Sequence, residues 1–352
     1  MGDILGLTVS HFPFLRFKPY VMPGVLRGLM SRGWAETPEL RDPANWPADM
    51  REEWGPDGGE VVGKEAQLKQ IEQFKLLEKA LSDFNPDVMV ILYRDLAETW
   101  KDPKNHPKYW VHTQSEIPVR FYQIFGFLRE NYVEEDPDKV DIIKTHSEAA
   151  QTLLKGLKDR NLPAVESTES GAPPSGLGHN ALAGIYHLDW SNREFTTPVV
   201  AVGIDTFGFQ RERGMEGLSE WDKNAPPPLT PKEAFELGQA IAQIYKASNL
   251  KVALVASTNW SNSQNTWVGN KRVQPEIPND LKRFEEWKNN QFGNWGESWT
   301  FEEMEDTACW EIITSIVLAG AMSEIGSKVK HADIQTTRTL NSNWISTIFE
   351  AK

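Results

Sequence analysis

This 352-residue chain has seven histidines and one cysteine against 50 Asp plus Glu. Any acid–base or metal site must therefore use few imidazoles and many carboxylates. His11 is the first candidate. It follows the apolar stretch 3–10 directly and is flanked by Phe12 and Pro13. A rigid turn that aims an imidazole out of a strand end fixes a metal ligand or a base; a capping or core-edge histidine gives the same pattern. His179 lies in Ser175-Gly-Leu-Gly-His-Asn180, where small residues allow close backbone approach and leave the ring room to transfer a proton. The competing reading is a turn before a helix over 180–188. Asp95 and Glu98 follow the apolar stretch 87–93 and are three residues apart, a spacing that serves one site or simply solvent. Asp280 opens Leu281-Lys-Arg-Phe-Glu-Glu-Trp287 and reads as a helix N-cap. His106, His112, His146, His187 and His331 show no metal-ligand spacing and read as structural. The chain has no G-x-G-x-x-G after a strand, no Walker lysine loop and no G-x-S-x-G elbow. Nucleotide-binding and serine-hydrolase readings are left without support.

The elements that must position these residues follow from periodicity. Residues 3–10, 87–93, 162–167, 197–204 and 251–256 predict strands, mostly continuous apolar runs. Leu68, Ile71, Phe74, Leu77 and Leu81 predict a helix over 64–83 that Asn85-Pro86 stops. Helices are also expected over 146–158, from a Thr230 cap and Pro231 to about 248, and over 301–323. This alternation predicts a single α/β domain over 1–352, with a central mixed, mostly parallel sheet and helices on both faces. Residues 36–60, rich in Pro, Trp and Gly, predict an ordered lid or loop. In such sheets ligands sit outside the carboxyl ends of the strands. Those ends carry His11, Asp95 and Glu98, with Phe12, Trp260 and Asn262 as candidate pocket lining.

Composition excludes several classes. Lys plus Arg number 37, for a net charge of −13, which argues against nucleic acid and anionic membrane as partners. Cys309 is alone, so no intrachain disulfide, Cys-based zinc site or iron–sulfur cluster is possible. No apolar run approaches the ~18 residues of a membrane span, and the first residues carry no basic leader. The expectation is a soluble cytoplasmic protein. Fourteen Trp suit either an aromatic core or a cavity for flat ligands.

Four segments act in combination: Gly6-Leu-Thr-Val-Ser-His11-Phe-Pro-Phe-Leu15, the stretch from Arg41-Asp-Pro through Trp54-Gly-Pro-Asp-Gly-Gly59, Gly178-His179-Asn180 onward to Pro198-Val-Val200 and Gly208, and Thr314-Ser-Ile-Val-Leu-Ala-Gly-Ala-Met322. With them the chain resembles, over almost its whole length, the class III extradiol ring-cleavage dioxygenases, the superfamily of the catalytic subunit of protocatechuate 4,5-dioxygenase. The resemblance implies an Fe(II) site held by two His and a carboxylate, with a nearby His moving protons. It makes His11 the first iron ligand, His179 the acid–base residue with Asp95 beside it, and Asp280 the carboxylate ligand. Leu96 stands where the second His ligand is expected, and Asn262 replaces a later His. The remaining set is His11, Glu98 and Asp280, which suits Mn(II) or Mg(II) as well as Fe(II). The implied function is oxidation or cleavage of a small phenolic or catecholic aromatic compound at a non-haem metal. The alternatives are a ligand-depleted, non-catalytic dioxygenase subunit and a metal-independent hydrolase or lyase on the same scaffold. The resemblance also implies a homo-oligomer, or a hetero-oligomer with a paralogous dioxygenase subunit.

Overall fold

A computed structural model describes residues 2–16, 38–95, 100, 103–120, 139–168, 177–191, 194, 196–208, 224–263 and 272–352. The strands are β1 (Asp3–Val9), β2 (Val88–Arg94), β3 (Tyr109–His112), β4 (Glu116–Val119), β5 (Asp141–Lys144), β6 (Val165–Ser167), β7 (Val199–Ile204), β8 (Lys251–Ser257), β9 (Val329–Gln335) and β10 (Trp344–Phe349). The α-helices are α1 (Ala48–Trp54), α2 (Glu60–Phe84), α3 (Ser147–Lys158), α4 (His179–Leu188), α5 (Pro231–Lys246), α6 (Ile277–Lys288), α7 (Trp295–Ser298), α8 (Phe301–Asp306) and α9 (Ile312–Glu324).

Among the described residues the main sheet has the order β6-β3-β7-β2-β8-β1-β10-β9. Its centre, β7-β2-β8-β1, is parallel, and β3 and β10 join it antiparallel. The fold is thus α/β with a mixed central sheet. The period-2 alternation of strand side chains sends residues to both faces. Val88, Val90, Leu92, Val200, Val202, Val252 and Leu254 pack with α3, α5 and α9 in one core. Met89, Ile91, Tyr93, Ala201, Ala253, Val255 and Leu7 pack with α2 and α4 in the other. Helices therefore cover both faces.

Two local features set the helices. Thr230 and Glu233 form a capping box at the start of α5 with Pro231 at its first position, an arrangement whose cap contributes about 1 kcal/mol. Gly238 in α5 and Gly320 in α9 allow these helices to touch backbone to backbone. A Cβ at Gly238 would lie 1.8 Å from Val317 O, and one at Gly320 2.1 Å from Phe235 O.

One expectation changes: the helix expected over 301–323 is two helices, broken where Ala308 adopts φ +53° and Cys309 N–H donates back to Met304 O. Over 38–59 the segment expected as an ordered lid or loop forms two short 3-10 turns that lead into α1, and Trp46 packs edge-on to Trp54. Glu53 fastens it to the body by accepting from the N–H of Arg338 and Thr339 and from the hydroxyls of Thr337 and Thr339. Residues 36 and 37 lie outside the described residues. The tryptophans are largely core: Trp260, Trp287 and Trp295 lie 5.1–6.5 Å from one another, and Trp110, Trp310 and Trp344 are also fully buried. No described helix is long and apolar enough to cross a membrane.

Candidate active site at the strand ends

The carboxyl ends of β1, β2, β7 and β8 lie side by side, and each delivers polar residues into a buried cluster. β1 runs into Ser10 and His11, β2 ends in Arg94 and Asp95, β7 runs into Asp205, and β8 into Asn259 and Asn262. The centre of the cluster is Glu311, in the break between α8 and α9. Its Oε2 lies 2.9 Å from His11 Nε2 and accepts the Asn259 N–H at 3.2 Å. Its Oε1 accepts Arg94 Nη1 at 2.9 Å and Asn262 Nδ2 at 3.4 Å. His11, Arg94 and Glu311 expose 3–4% of their side chains. The hydroxyls of Thr258 and Thr314 donate to the Glu311 carbonyl at 3.1 and 3.0 Å, which fixes the break that aims this carboxylate at the strand ends.

A buried charge is costly unless it is paired and hydrogen-bonded. Burial pulls the Arg94 pKa down, while Glu311, Asp205 and Asp95 push it back up; the guanidinium stays a cation and lies over the Phe207 ring at 5.3 Å. The carboxylate fixes the histidine tautomer. His11 Nε2 carries the hydrogen toward Glu311, and Nδ1 faces Ser257 Oγ at 3.4 Å. Ser257 gives its own proton to Asn180 O at 2.6 Å. Toward Nδ1 the Ser257 oxygen is therefore an acceptor, and Ser257 is not poised as a nucleophile.

A second imidazole–carboxylate pair lies further along the same edge. Asp205 Oδ1 accepts the N–H groups of Phe207 at 3.1 Å and Gly208 at 2.7 Å. Its Oδ2 lies 3.3 Å from His106 Nδ1, both side chains being buried.

The sequence candidates fare unevenly. His11 is at the centre. His179 begins α4, half-buried at the rim; its neighbour Asn180 donates to Arg94 O at 3.1 Å. Asp95 is buried beside Arg94 and acts on its charge. Glu98 and Leu96 lie outside the described residues. Asp280 is not an N-cap: α6 begins three residues earlier, with Glu276 at the cap and Pro278 in the first turn. Its carboxylate is enclosed instead. Oδ2 accepts Ser261 N–H at 2.9 Å and Asn343 Nδ2 at 2.7 Å, and Oδ1 faces Cys309 Sγ at 3.8 Å. Burial pushes its pKa up to about 6, against the pull of these donors. Among the described residues Phe12 and Trp260 meet other aromatic side chains. Phe12 packs on Phe14 and Trp344, and Trp260 packs in the tryptophan core. Asn262 does reach the cluster, through Glu311.

Four of the five histidines read as structural behave so. His146 caps α3 by accepting Ala149 N–H. His187 meets Ser10 O at 2.7 Å, and burial, with Arg16 nearby, holds its pKa well below the ordinary value. His112 shares a hydrogen with the Tyr93 hydroxyl at 2.8 Å, and burial takes its pKa down to about 4. His331 bonds Gln73. His106 Nδ1 lies 3.3 Å from Asp205 Oδ2.

Among the described residues no three His, Cys, Asp or Glu side chains are grouped to hold a metal ion. Of the expected set, Glu98 lies outside the described residues, and Asp280 is engaged with Ser261, Asn343 and Cys309. His11 presents Nε2 to Glu311, whose other oxygen already carries the Arg94 cation. A dication would compete with Arg94 for that carboxylate. The sequence signal for Glu311 was its place as the last charge before the uncharged run 312–322.

No protein-family model matches the chain, and no curated protein matches it. It is similar in structure to an uncharacterized protein from Escherichia coli K12, with a TM-score of 0.43 and 13% identity over 78% of this chain and 91% of that one.

Proposed function

We propose that the chain is an enzyme that binds a small phenolic compound at the carboxyl ends of β1, β2, β7 and β8 and moves protons with His11. The observation that carries the reading is the buried row His11–Glu311–Arg94, with contacts of 2.9 Å on both sides of Glu311. A buried ion group is weak support for stability, and its position at the ligand-binding edge of an α/β sheet argues for chemistry. The phenolic substrate class rests on the family resemblance. In this reading Glu311 orients the His11 ring through Nε2, the imidazole exchanges a proton with the substrate, and Arg94 supplies positive charge where an oxyanion develops. Metal-independent hydrolase or lyase chemistry leads, because the groups that would hold a metal are engaged with each other.

A second reading keeps the metal-dependent oxidation that the resemblance implies. It is favoured by the convergence of His11 and Glu311 on one point. Bound Fe(II) or Mn(II) would supply the coordination of catechol oxygens and O2. A non-catalytic dioxygenase subunit would have no use for the buried row.

The test is turnover of a panel of catechols and phenolic acids, under anaerobic conditions with chelator and then in air after Fe(II) loading. The expected result is turnover that survives chelator and anaerobiosis and falls at least ~100-fold in His11→Ala, the ordinary contribution of a general base. Strict dependence on Fe(II) and O2 would transfer the assignment to the second reading. No turnover under either condition would remove both.

A further inference from the structure

We infer that the outer edge of β9 is an interface at which two copies of this chain pair antiparallel, joining their sheets across a two-fold axis at Ala332. The two ends of the main sheet are finished differently. β6 closes one end with three residues, short enough to offer little to another strand. β9 closes the other with seven, Val-Lys-His-Ala-Asp-Ile-Gln, and among the described residues β10 is the strand that pairs with it. Val329 N–H is taken by Asn290 Oδ1 at 2.7 Å, so the open stretch starts at Lys330. An edge of this length presents backbone N–H and C=O groups as a template for a further strand.

The side chains favour a second copy in one register. In a two-fold pair centred on Ala332, His331 of each copy lies opposite Asp333 of the other, and the small Ala332 side chains meet at the axis. A basic and an acidic group directly across an antiparallel pair attract, and like groups repel. Moving the centre by one residue sets Asp333 against Asp333, or His331 against His331. His331 and Asp333 lie on the strand face toward α2, where His331 Nε2 meets Gln73 Oε1 at 2.8 Å. Ala332 and Ile334 lie on the other face and pack on the core that holds Phe284 and Trp287 of α6.

The helices over the two faces of β9 extend this surface. Both α2 and α6 pack against β9. On α2, Gln70 reaches Ser346 of β10 and Gln73 reaches His331 of β9. Each step of three residues turns the helix surface by the same ~60°, so Leu76 falls beyond β9, and it is 45% exposed. On α6, Arg283 faces the body through Ser298 and Glu303. Leu281, about 160° round the helix from it, is 44% exposed. A second copy brings its own Leu76 and Leu281 to the edge, covering apolar surface on both sides of the joined strands.

The experiment measures mass by sedimentation velocity and light scattering over a range of protein concentrations. The wild type is expected at twice the chain mass of 39.9 kDa. His331→Asp sets two pairs of carboxylates face to face and is expected to weaken the dimer at least ~10-fold. Adding Asp333→Lys restores opposite charges in the reverse order and is expected to recover the dimer. A monomeric wild type overturns the inference, and so does a dimer that His331→Asp leaves intact or that the double variant fails to recover. If His331→Asp does not fold, hydrogen exchange of the wild type decides. In a β9 dimer the amides of 330–335 gain protection as concentration rises, and protection that stays constant overturns the pairing.

Discussion

Glu311 and Asp280 are both buried carboxylates near the end of β8, and the molecule treats them oppositely. Glu311 meets a guanidinium and an imidazole, each at 2.9 Å. Asp280 meets a backbone N–H, an amide and a thiol, and burial pushes its pKa up to about 6. The first arrangement spends a cation on the carboxylate and orients an imidazole at the strand ends, which suits the proposed proton transfer. The second uses neutral donors to tie α6, the exit of β8 and the approach to β10 at one point, which is useful for structure. Burial alone does not mark a functional acid; the nature of its partners does.

The largest effect that tests this contrast comes from the charged pair. Glu311→Ala leaves Arg94 buried without its ion-pair partner, and breaking a buried pair from one side costs about 3–5 kcal/mol. Urea unfolding at pH 7 measures it. Adding Arg94→Met should recover most of the loss, because removing both charges removes the uncompensated one. A cost below about 1 kcal/mol, the range of a solvated pair, would mean that water reaches Glu311 and that the two carboxylates are not different in kind.

The sequence carries the parallel centre of the fold well and the site only in part. Runs such as Val88–Arg94 and Lys251–Ser257 are continuously apolar because helices cover both faces, and that pattern is visible without coordinates. The added strands are not. β9 reads Val-Lys-His-Ala-Asp-Ile-Gln and is half-exposed at a sheet edge, so no apolar run marks it, and β3 has four residues. His11 was legible because it ends an apolar run. Glu311 was not, because helical periodicity continues on both sides of a break that only Ala308 and the tertiary bonds to Thr258 and Thr314 produce. Asp280 was misread as a cap because Pro278, the better start signal, was passed over. The contact of His106 with Asp205 was not legible, because 99 positions separate the two residues and the antiparallel pairing of β3 with β7 brings them together.

The next effect is a pH dependence. The Asp280 pKa is about 6 in the folded protein and about 3.9 in an unfolded chain. Between those values the native state binds more protons than the unfolded state, so this group adds stability as pH falls from about 6 to about 4 and withdraws it as pH rises. Two pKa units correspond to about 3 kcal/mol. The difference in unfolding free energy between wild type and Asp280→Asn, followed from pH 4 to pH 7, isolates the contribution from other carboxylates. A flat difference would place Asp280 in the ordinary carboxyl range and make it a charged partner like Glu311.

The smallest effect concerns the donor that makes Asp280 tolerable. Asn343 gives Nδ2–H to Asp280 at 2.7 Å and to Ser261 Oγ at 3.3 Å and accepts Thr337 N–H at 3.2 Å, so Asn343→Ala loses one bond that depends on the charge of Asp280 and two that do not. The cycle of Asn343→Ala with Asp280→Asn separates them. At pH 7 the acceptor is a carboxylate, and its coupling to Asn343 should be about 1.5–3 kcal/mol, the range for bonds to charged groups. Near pH 4.5 the folded protein holds Asp280 protonated, and the coupling should fall to about 0.5–1.5 kcal/mol, the range for neutral pairs. The Thr337 and Ser261 bonds appear in both arms at both pH values and cancel from the change. A coupling energy that stays constant across this range would show that Asp280 does not titrate within it. Neutral donors would then hold a buried charge as well as Arg94 does, and partner type would no longer distinguish the two carboxylates.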